Sequence, residues 1–135
     1  MNKLELFIDG ACKGNPGPSG IGVVILRDGA VVKEISRYIG EATNNIAEYS
    51  ALICALEESL LLKADTIVIS SDSQLLCRQI NKQYQVKSGN IIGLYEQALR
   101  LLSGFRQVHV NHIPREKNKL ADRLATKAVL DARNR

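Results

Sequence analysis

Residues 4–39 have the sequence LELFIDGACKGNPGPSGIGVVILRDGAVVKEISRYI, and this stretch decides the fold. Apolar and polar residues alternate over Leu4–Asp9, as expected for a half-buried strand. The glycine- and proline-rich segment Gly10–Gly20 predicts a loop. The β-branched run Ile21–Leu26 predicts a second strand, and an Asp-Gly turn signal joins it to a third strand, Val31–Ile39. These three strands are expected to form an antiparallel meander.

The rest of the chain alternates helical and extended patterns. In chain order we predict a helix from Thr43 to about Leu62, a strand Thr66–Ser70, a helix from Gln74 to about Lys82, a helix from Ser88 or Asn90 to about Ser103, a strand Val108–Ile113 and a helix from Asn118 to about Ala132. A meander followed by alternating units predicts one α/β domain over residues 1–135. Its mixed sheet would carry helices on both faces.

Composition excludes several classes of protein. The chain has 135 residues, of which 45% are hydrophobic and 24% charged, and these values are typical of one globular domain. The sequence has neither the apolar core of a signal peptide nor a membrane-length apolar run, which favours a cytoplasmic protein without a membrane partner. Cys12, Cys54 and Cys77 lack metal-ligand spacing and indicate reduced thiols.

The charge balance is basic, with a formal net charge of +4. This favours a polyanionic partner only weakly. Basic residues are concentrated after position 114, where Arg and Lys outnumber Asp and Glu. That concentration is typical of a solvated terminal helix and equally of a patch that faces phosphates.

Four acidic residues are the main candidates for a functional site. Asp9 ends the first strand and Asp72 follows the strand Thr66–Ser70, so a turn and a helix cap respectively are their simplest roles. As part of the odd-numbered face of its strand, Asp9 is also compatible with solvent exposure. Glu48 and Asp122 lie instead on the apolar sides of their predicted helices.

Considered together, the positions of these four acids predict a metal site. Carboxyl ends of neighbouring strands, and the helix ends packed beside them, meet at one edge of a sheet. Carboxylates that converge there repel each other unless a cation is bound. Oxygen ligands favour Mg²⁺ or Mn²⁺ over zinc. An acidic metal site on a protein with a net positive charge is suited to a reaction on a phosphate backbone.

Four sequence blocks resemble, in order, the signatures of the type 1 ribonuclease H family. The blocks are Phe7–Ala11 with Gly14–Gly22, then Thr43–Asn45 with Ala47–Tyr49 and Ala51-Leu52, then Ser71–Leu75, and finally Pro114–Glu116 with Asn118 and Ala121–Ala125. Together they span nearly the whole chain. The short form and the Pro-Arg-Glu block are most similar to the archaeal-type subgroup, which also occurs in bacteria.

The resemblance implies an RNase H-like fold with a five-stranded mixed sheet in the order 3-2-1-4-5. It implies endonucleolytic cleavage of the RNA strand of an RNA–DNA hybrid, leaving 5′-phosphate and 3′-hydroxyl ends. Asp9, Glu48, Asp72 and Asp122 match the four carboxylates that hold two metal ions, Mg²⁺ or Mn²⁺. Such a pair of ions can stabilise the attacking and the leaving oxygens together.

Further site residues follow from the same resemblance. Positions expected to contact the hybrid are Gly10, Cys12, Lys13, Asn15, Thr43, Asn44, Asn45, Gln74 and Arg115. Amide side chains can pair with 2′-hydroxyls and base edges without reading sequence. His112 matches a histidine that assists proton transfer and product release, and it is equally compatible with a plain strand residue. Arg115 competes with it for the departing phosphate, and His109, between two valines, is expected to be structural.

The sequence departs from the family in one respect. Many members carry a basic protrusion containing tryptophan, but Asn81–Asn90 is short and the chain has no tryptophan. Hybrid binding is therefore expected to be more sensitive to salt. Two alternative functions stay open: a module that binds hybrid or duplex RNA without efficient cleavage, and a nuclease acting on other duplexes. A monomer is expected.

Overall fold

The three strand patterns near the N-terminus form the long strands β1 (Lys3–Cys12), β2 (Gly17–Arg27) and β3 (Ala30–Ala42) in the computed structural model. The structure describes residues 2–133, and at Arg133 it describes the backbone alone. The prediction of one domain over 1–135 therefore includes Met1, Asn134 and Arg135, which lie outside the described residues.

The remaining elements follow the predicted order. They are α1 (Asn44–Leu61), β4 (Thr66–Ser71), α2 (Gln74–Ile80), α3 (Gly89–Leu102), β5 (Gln107–His112), a 3₁₀ turn (Arg115–Lys117) and α4 (Lys119–Arg133). The strands form one sheet in the order β3-β2-β1-β4-β5, which confirms the predicted topology. β1 pairs antiparallel with β2 and parallel with β4, and β5 lies parallel to β4.

The two faces of the sheet are covered by different helices. Leu4, Leu6 and Ile8 are fully buried in the main core, together with the apolar residues of α1. On the other face, α4 packs directly over β2. Because the side chains of a strand alternate between faces, the even-numbered positions of β1 face α1 and the odd-numbered positions lie on the α4 side.

The predicted loop Gly10–Gly20 is wrong in its extent. β1 continues to Cys12 and β2 begins at Gly17, so that Ala11 pairs with Gly20. The glycines of β2 serve close packing: a Cβ atom on Gly20 would lie 2.6 Å from the carbonyl oxygen of Ala125 in α4. Glycine inside a strand can mark such close backbone approach as well as a turn.

Other boundaries also shift, and β3 continues three residues past the predicted end at Ile39, to Ala42. α2 ends at Ile80 instead of about Lys82, because Lys82 adopts a left-handed backbone conformation with φ of 62°. β5 ends at His112, one residue before the predicted end. Among the described residues, no helix combines the length and the apolar character that crossing a membrane requires.

Candidate active site

Asp9 lies near the carboxyl end of β1, on the face that α4 covers. Its strand partner is Gly22, and only 4% of Asp9 is exposed. The alternative that Asp9 faces solvent is therefore wrong. Glu5 and Phe7 share its face but lie nearer the start of β1, and they are more exposed than Asp9. This difference arises because α4 covers only the end of the sheet that contains Asp9.

Glu48 reaches the same point from the opposite side of the sheet. It lies near the start of α1 and is buried, as its apolar neighbours predict. Its Oε1 accepts a hydrogen bond of 3.1 Å from the backbone N–H of Gly10. Its Oε2 is also buried but has no hydrogen-bond partner among the described residues. An unpaired buried carboxylate oxygen is unfavourable without a further ligand.

Asp72 follows β4, the parallel neighbour of β1. The register pairs Ile8 with Ser71, which places Asp9 and Asp72 side by side where the two strands end. One carboxylate oxygen from each of Asp9, Glu48 and Asp72 forms a group whose members all lie within 4.8 Å of one another. No other group of three potential metal ligands is found within residues 2–133. Three of the predicted carboxylates therefore converge.

Asp122 supplies a fourth carboxylate from the first turn of α4. It lines the same open cavity, of about 500 Å³, as the other three acids. Its Oδ1 lies 3.9 Å from a guanidinium nitrogen of Arg115, whose side chain is 81% exposed. This contact is too long and too exposed to contribute much to stability. Asp122 is thus held near the cluster mainly by the packing of α4.

The cluster disfavours its own ionisation. Burial raises the pKa of Asp9 to about 10, and repulsion from Glu48 and Asp72 acts in the same direction. Burial also raises the pKa of Glu48 to about 7, although its interaction with the neighbouring Asp9 and the hydrogen bond from the Gly10 N–H partly oppose this effect. Converging carboxylates of this kind are stabilised in their ionised form by a bound cation.

The donor set fits a divalent metal ion. All four groups are hard oxygen ligands, and oxygen-only sites favour Mg²⁺ or Mn²⁺. The unpaired Oε2 of Glu48 provides an oxygen without a competing hydrogen bond. The partial exposure of Asp122 leaves one side of the cluster open to the cavity. A metal site of this composition can therefore also contact a substrate from solution.

Several predicted contact residues border this cavity. Gly10, Cys12, Lys13, Asn44 and Arg115 all contribute to its lining. Cys12 is tied back through its thiol, which donates to the carbonyl oxygen of Ala42 at 3.1 Å. The Cys12 thiol therefore has a structural contact at the edge of the acidic cavity.

A second polar cavity, of about 350 Å³, adjoins the start of α1. Asn15, Thr43, Asn44 and Asn45 contribute to its lining. The Asn15 side-chain oxygen accepts a hydrogen bond of 3.0 Å from the backbone N–H of Asn44, and Thr43 caps α1. Asn15 and Thr43 thus have structural roles at the start of α1, and the side chain of Asn44 remains exposed.

Three other predicted positions lie outside the acidic cavity. Gln74 begins α2 and is exposed. His112 ends β5 and is exposed, paired with Ser71 beside Asp72. Neither is among the residues that line the cavity. His109 is exposed as well, so the expectation that it is a structural residue has no support from burial.

Asn118 received no role from the sequence, although it was part of the fourth signature block. The structure buries it between β1, Asp72 and α4. An asparagine before a helix is ordinarily a cap, and its sequence context does not show which distant residues its side chain contacts. Its occurrence four residues before Asp122 was the only available signal.

Comparisons with known proteins agree with this geometry. The sequence model of the family described as "Reverse transcriptase-like" matches residues 7–128. Ribonuclease HI of Halobacterium salinarum is 40% identical over 131 residues, covering 96% of this chain and 66% of that protein. The chain belongs to the ribonuclease H family. A crystal structure of RNase H1 from the same archaeon superposes with a TM-score of 0.94 at 39% identity, covering 96% of this chain and 99% of that one.

Other family members extend the comparison. The bifunctional protein Rv2228c of Mycobacterium tuberculosis is 39% identical over 129 residues, which cover 94% of this chain. This chain spans 35% of the length of that relative. LC11-RNase H1, isolated from compost, has been solved in complex with an RNA/DNA hybrid. It matches with a TM-score of 0.90 and 39% identity, covering 96% of this chain and 98% of that one.

Proposed function

We propose that this chain is an endoribonuclease that hydrolyses the RNA strand of RNA–DNA hybrids and leaves 5′-phosphate and 3′-hydroxyl ends. The observation that carries the proposal is the convergence of Asp9, Glu48 and Asp72, with oxygens within 4.8 Å of one another, in a cavity that Asp122 also lines. Membership of the ribonuclease H family supports the reaction, and the hybrid bound to LC11-RNase H1 supports the substrate.

Asp9, Glu48, Asp72 and Asp122 would hold the metal, which we propose is a pair of Mg²⁺ or Mn²⁺ ions. When bound, such ions lower the pKa of a water nucleophile and stabilise the negative charge that develops on the leaving 3′-oxygen. The carboxylates then act as ligands and need not attack the phosphate themselves. The Gly10 N–H fixes one oxygen of Glu48, which leaves the other free for coordination.

Arg115 is the residue we propose for contact with the departing phosphate. Its guanidinium is exposed at the rim of the cavity and lies beside Asp122. A guanidinium there can pair with phosphate oxygens as negative charge accumulates. His112 is the alternative proton carrier, placed one residue from Asp72 in the strand register but outside the cavity lining.

Contacts with the hybrid are proposed for residues around the two cavities and for the exposed Gln74 at the start of α2. The amides of Asn15, Asn44 and Gln74 suit 2′-hydroxyls and base edges in the minor groove. Lys13 carries a positive charge at the rim of the acidic cavity, where a phosphate of the substrate would pass. The remaining proposed contacts are Gly10, Cys12, Thr43 and Asn45. None of these groups distinguishes one base sequence from another, as a general hybrid nuclease requires.

The first experiment is cleavage of an end-labelled RNA–DNA hybrid, with matched RNA–RNA and DNA–DNA duplexes alongside. Reactions contain Mg²⁺, Mn²⁺ or EDTA, and Asp9→Asn is the matched variant. We expect metal-dependent cutting of the RNA strand that the variant lacks. Hybrid binding without cutting in either metal would contradict the nuclease and leave a binding module. Equal cutting of DNA–DNA would assign a broader nuclease.

We also propose that the protein acts as a monomer in the cytoplasm. Cys12, Cys54 and Cys77 are all free thiols in the structure, in keeping with a reducing compartment. Size-exclusion chromatography with light scattering tests the oligomeric state, and a mass of twice 14.8 kDa would contradict the monomer.

A further inference from the structure

Asn118 lies immediately before α4, where an asparagine side chain commonly accepts a hydrogen bond from a free helix N–H. Here its side chain makes no such bond. Its Oδ1 is buried and has no hydrogen-bond partner among residues 2–133, although only 1% of the residue is exposed. Because an unpaired buried acceptor is unfavourable, another interaction must hold the side chain in this orientation.

The donor end of the same amide makes that interaction. Nδ2 of Asn118 donates to the backbone carbonyl of Ile8 at 2.8 Å and contacts Oδ2 of Asp72 at 3.4 Å. Ile8 directly precedes Asp9. The backbone carbonyl of Asn118 accepts a hydrogen bond of 3.0 Å from the N–H of Asp122. One residue therefore connects three of the four carboxylate-bearing segments.

The chemistry of these partners fixes which way the amide points. If the amide were turned over, Oδ1 would face the Ile8 carbonyl and the Asp72 carboxylate, and three acceptors would meet without a proton between them. With Nδ2 in that position, a neutral donor lies between the Ile8 carbonyl oxygen and the Asp72 carboxylate. A lysine or arginine could supply the same donor, but its charge would compete with a metal ion.

We propose that Asn118 is a positioning residue for the acidic cluster, whose Nδ2 holds Asp72 against the end of β1 and so sets the geometry for the metal. The inference rests on the proposed function only in taking the four carboxylates as metal ligands. Groups that hydrogen-bond to metal ligands commonly govern metal affinity because they fix the ligand orientation. Asn118 makes such a contact from the position directly before α4, the helix that carries Asp122.

The test compares the wild-type chain with Asn118→Ser and Asn118→Ala. Both variants lose the amide donor, and serine keeps a hydroxyl that can cap α4 and protect folding. Mn²⁺ alone is titrated by isothermal calorimetry, without nucleic acid. We expect the affinity for Mn²⁺ to fall about tenfold or more in both variants. In cleavage assays at saturating Mn²⁺, the KM for the hybrid should stay unchanged, because Asn118 is buried away from the substrate.

A core variant, Ile25→Val, separates positioning from general stability. Ile25 is fully buried in β2, so the substitution lowers Tm without touching the acidic cluster. We expect its Mn²⁺ affinity to equal that of the wild type. Serine and alanine variants that lose Tm but keep the wild-type affinity would overturn the proposal, as would a wild type that binds no Mn²⁺. A wild type that binds Mn²⁺ but does not cut the hybrid would contradict only the proposed nuclease.

Discussion

Oε1 of Glu48 accepts a 3.1 Å hydrogen bond from the backbone N–H of Gly10, the residue that follows Asp9. The bond joins α1 to the end of β1 across a gap that only glycine allows. A Cβ atom at position 10 would lie 2.6 Å from the carbonyl carbon of Ala47. The distance between two of the four carboxylates is therefore set by the absence of a side chain.

The packing of α4 predicts a strong effect at Gly22. A Cβ atom there would lie 2.0 Å from the carbonyl oxygen of Ala121, so Gly22→Ala must push the helix away. We expect a loss of about 3 kcal/mol or more in the free energy of unfolding. Gly93→Ala is the control, since nothing lies within 4 Å of its Cβ position inside α3. Denaturant titration should show no loss, or a small gain, for the control. Equal stability of the two variants would contradict this account.

Replacing the ionisable carboxyl of Asp9 should stabilise the metal-free protein at neutral pH, because the wild type must take up a proton at this position on folding. The raised pKa of Asp9, caused first by burial and then by Glu48 and Asp72, shows that its ionised form is unfavourable in the fold. We expect Asp9→Asn to raise Tm in EDTA by about 4 °C or more, and to abolish cleavage. Differential scanning calorimetry checks the first effect. Glu57→Gln, an exposed acid on the solvent side of α1, should leave both Tm and cleavage unchanged.

The same raised pKa values determine how pH affects the protein. Burial raises the pKa of Glu48 to about 7 and that of Asp9 to about 10, so the folded state binds protons more tightly than the unfolded state. Their stabilising contribution is complete below about pH 4 and is lost as pH rises through these values. Bound metal offsets the loss, because it favours the ionised carboxylates.

Consequently, the increase in Tm that Mn²⁺ produces should itself increase from pH 5 to pH 8. Thermal unfolding in EDTA and in Mn²⁺ at each pH measures this difference. The double variant Asp9→Asn with Glu48→Gln should show neither the metal effect nor its pH dependence. A metal-induced shift in Tm that is constant over this range would count against proton release on binding.

Replacing Arg115 should lower kcat more than replacing His112. Because Arg115 lines the acidic cavity and His112 does not, we expect Arg115→Ala to lower kcat by about tenfold or more. We expect a smaller loss for His112→Ala. Lys119→Ala, which removes an exposed charge from the start of α4, is the control for a general change in charge. Single-turnover cleavage at saturating metal gives the comparison. A larger loss in the histidine variant would assign the role to His112.

Alternation and helical period were sufficient to predict the order of helices and strands along the chain and a mixed sheet, whereas the strand order 3-2-1-4-5 followed from the resemblance to the ribonuclease H family. The extent of the first loop could not be predicted, because Gly20 gives the same local signal in a turn and beneath a helix. Its function depends on Ala125, more than 100 positions away in the chain. The local sequence identifies a glycine but does not show which distant segment of backbone packs against it.

The site shows the same division between local and distant information. The apolar sides of two helices indicated that Glu48 and Asp122 point inwards. The burial of Asp9 could not be inferred from β1, because its face is covered only where α4 lies. The role of Asn118 depends on Ile8, 110 positions earlier in the chain, and no local pattern reports such a contact.

The position of Asp122 on α4 also has a consequence for biosynthesis. A nascent chain that has emerged only as far as β5 already contains Asp9, Glu48 and Asp72, but the strand face around Gly22 is still uncovered. The fourth carboxylate, Asp122, and the contact made by Asn118 are added only with α4, the last helix of the described residues. A nascent chain that has not yet emerged as far as α4 therefore carries an incomplete acidic cluster.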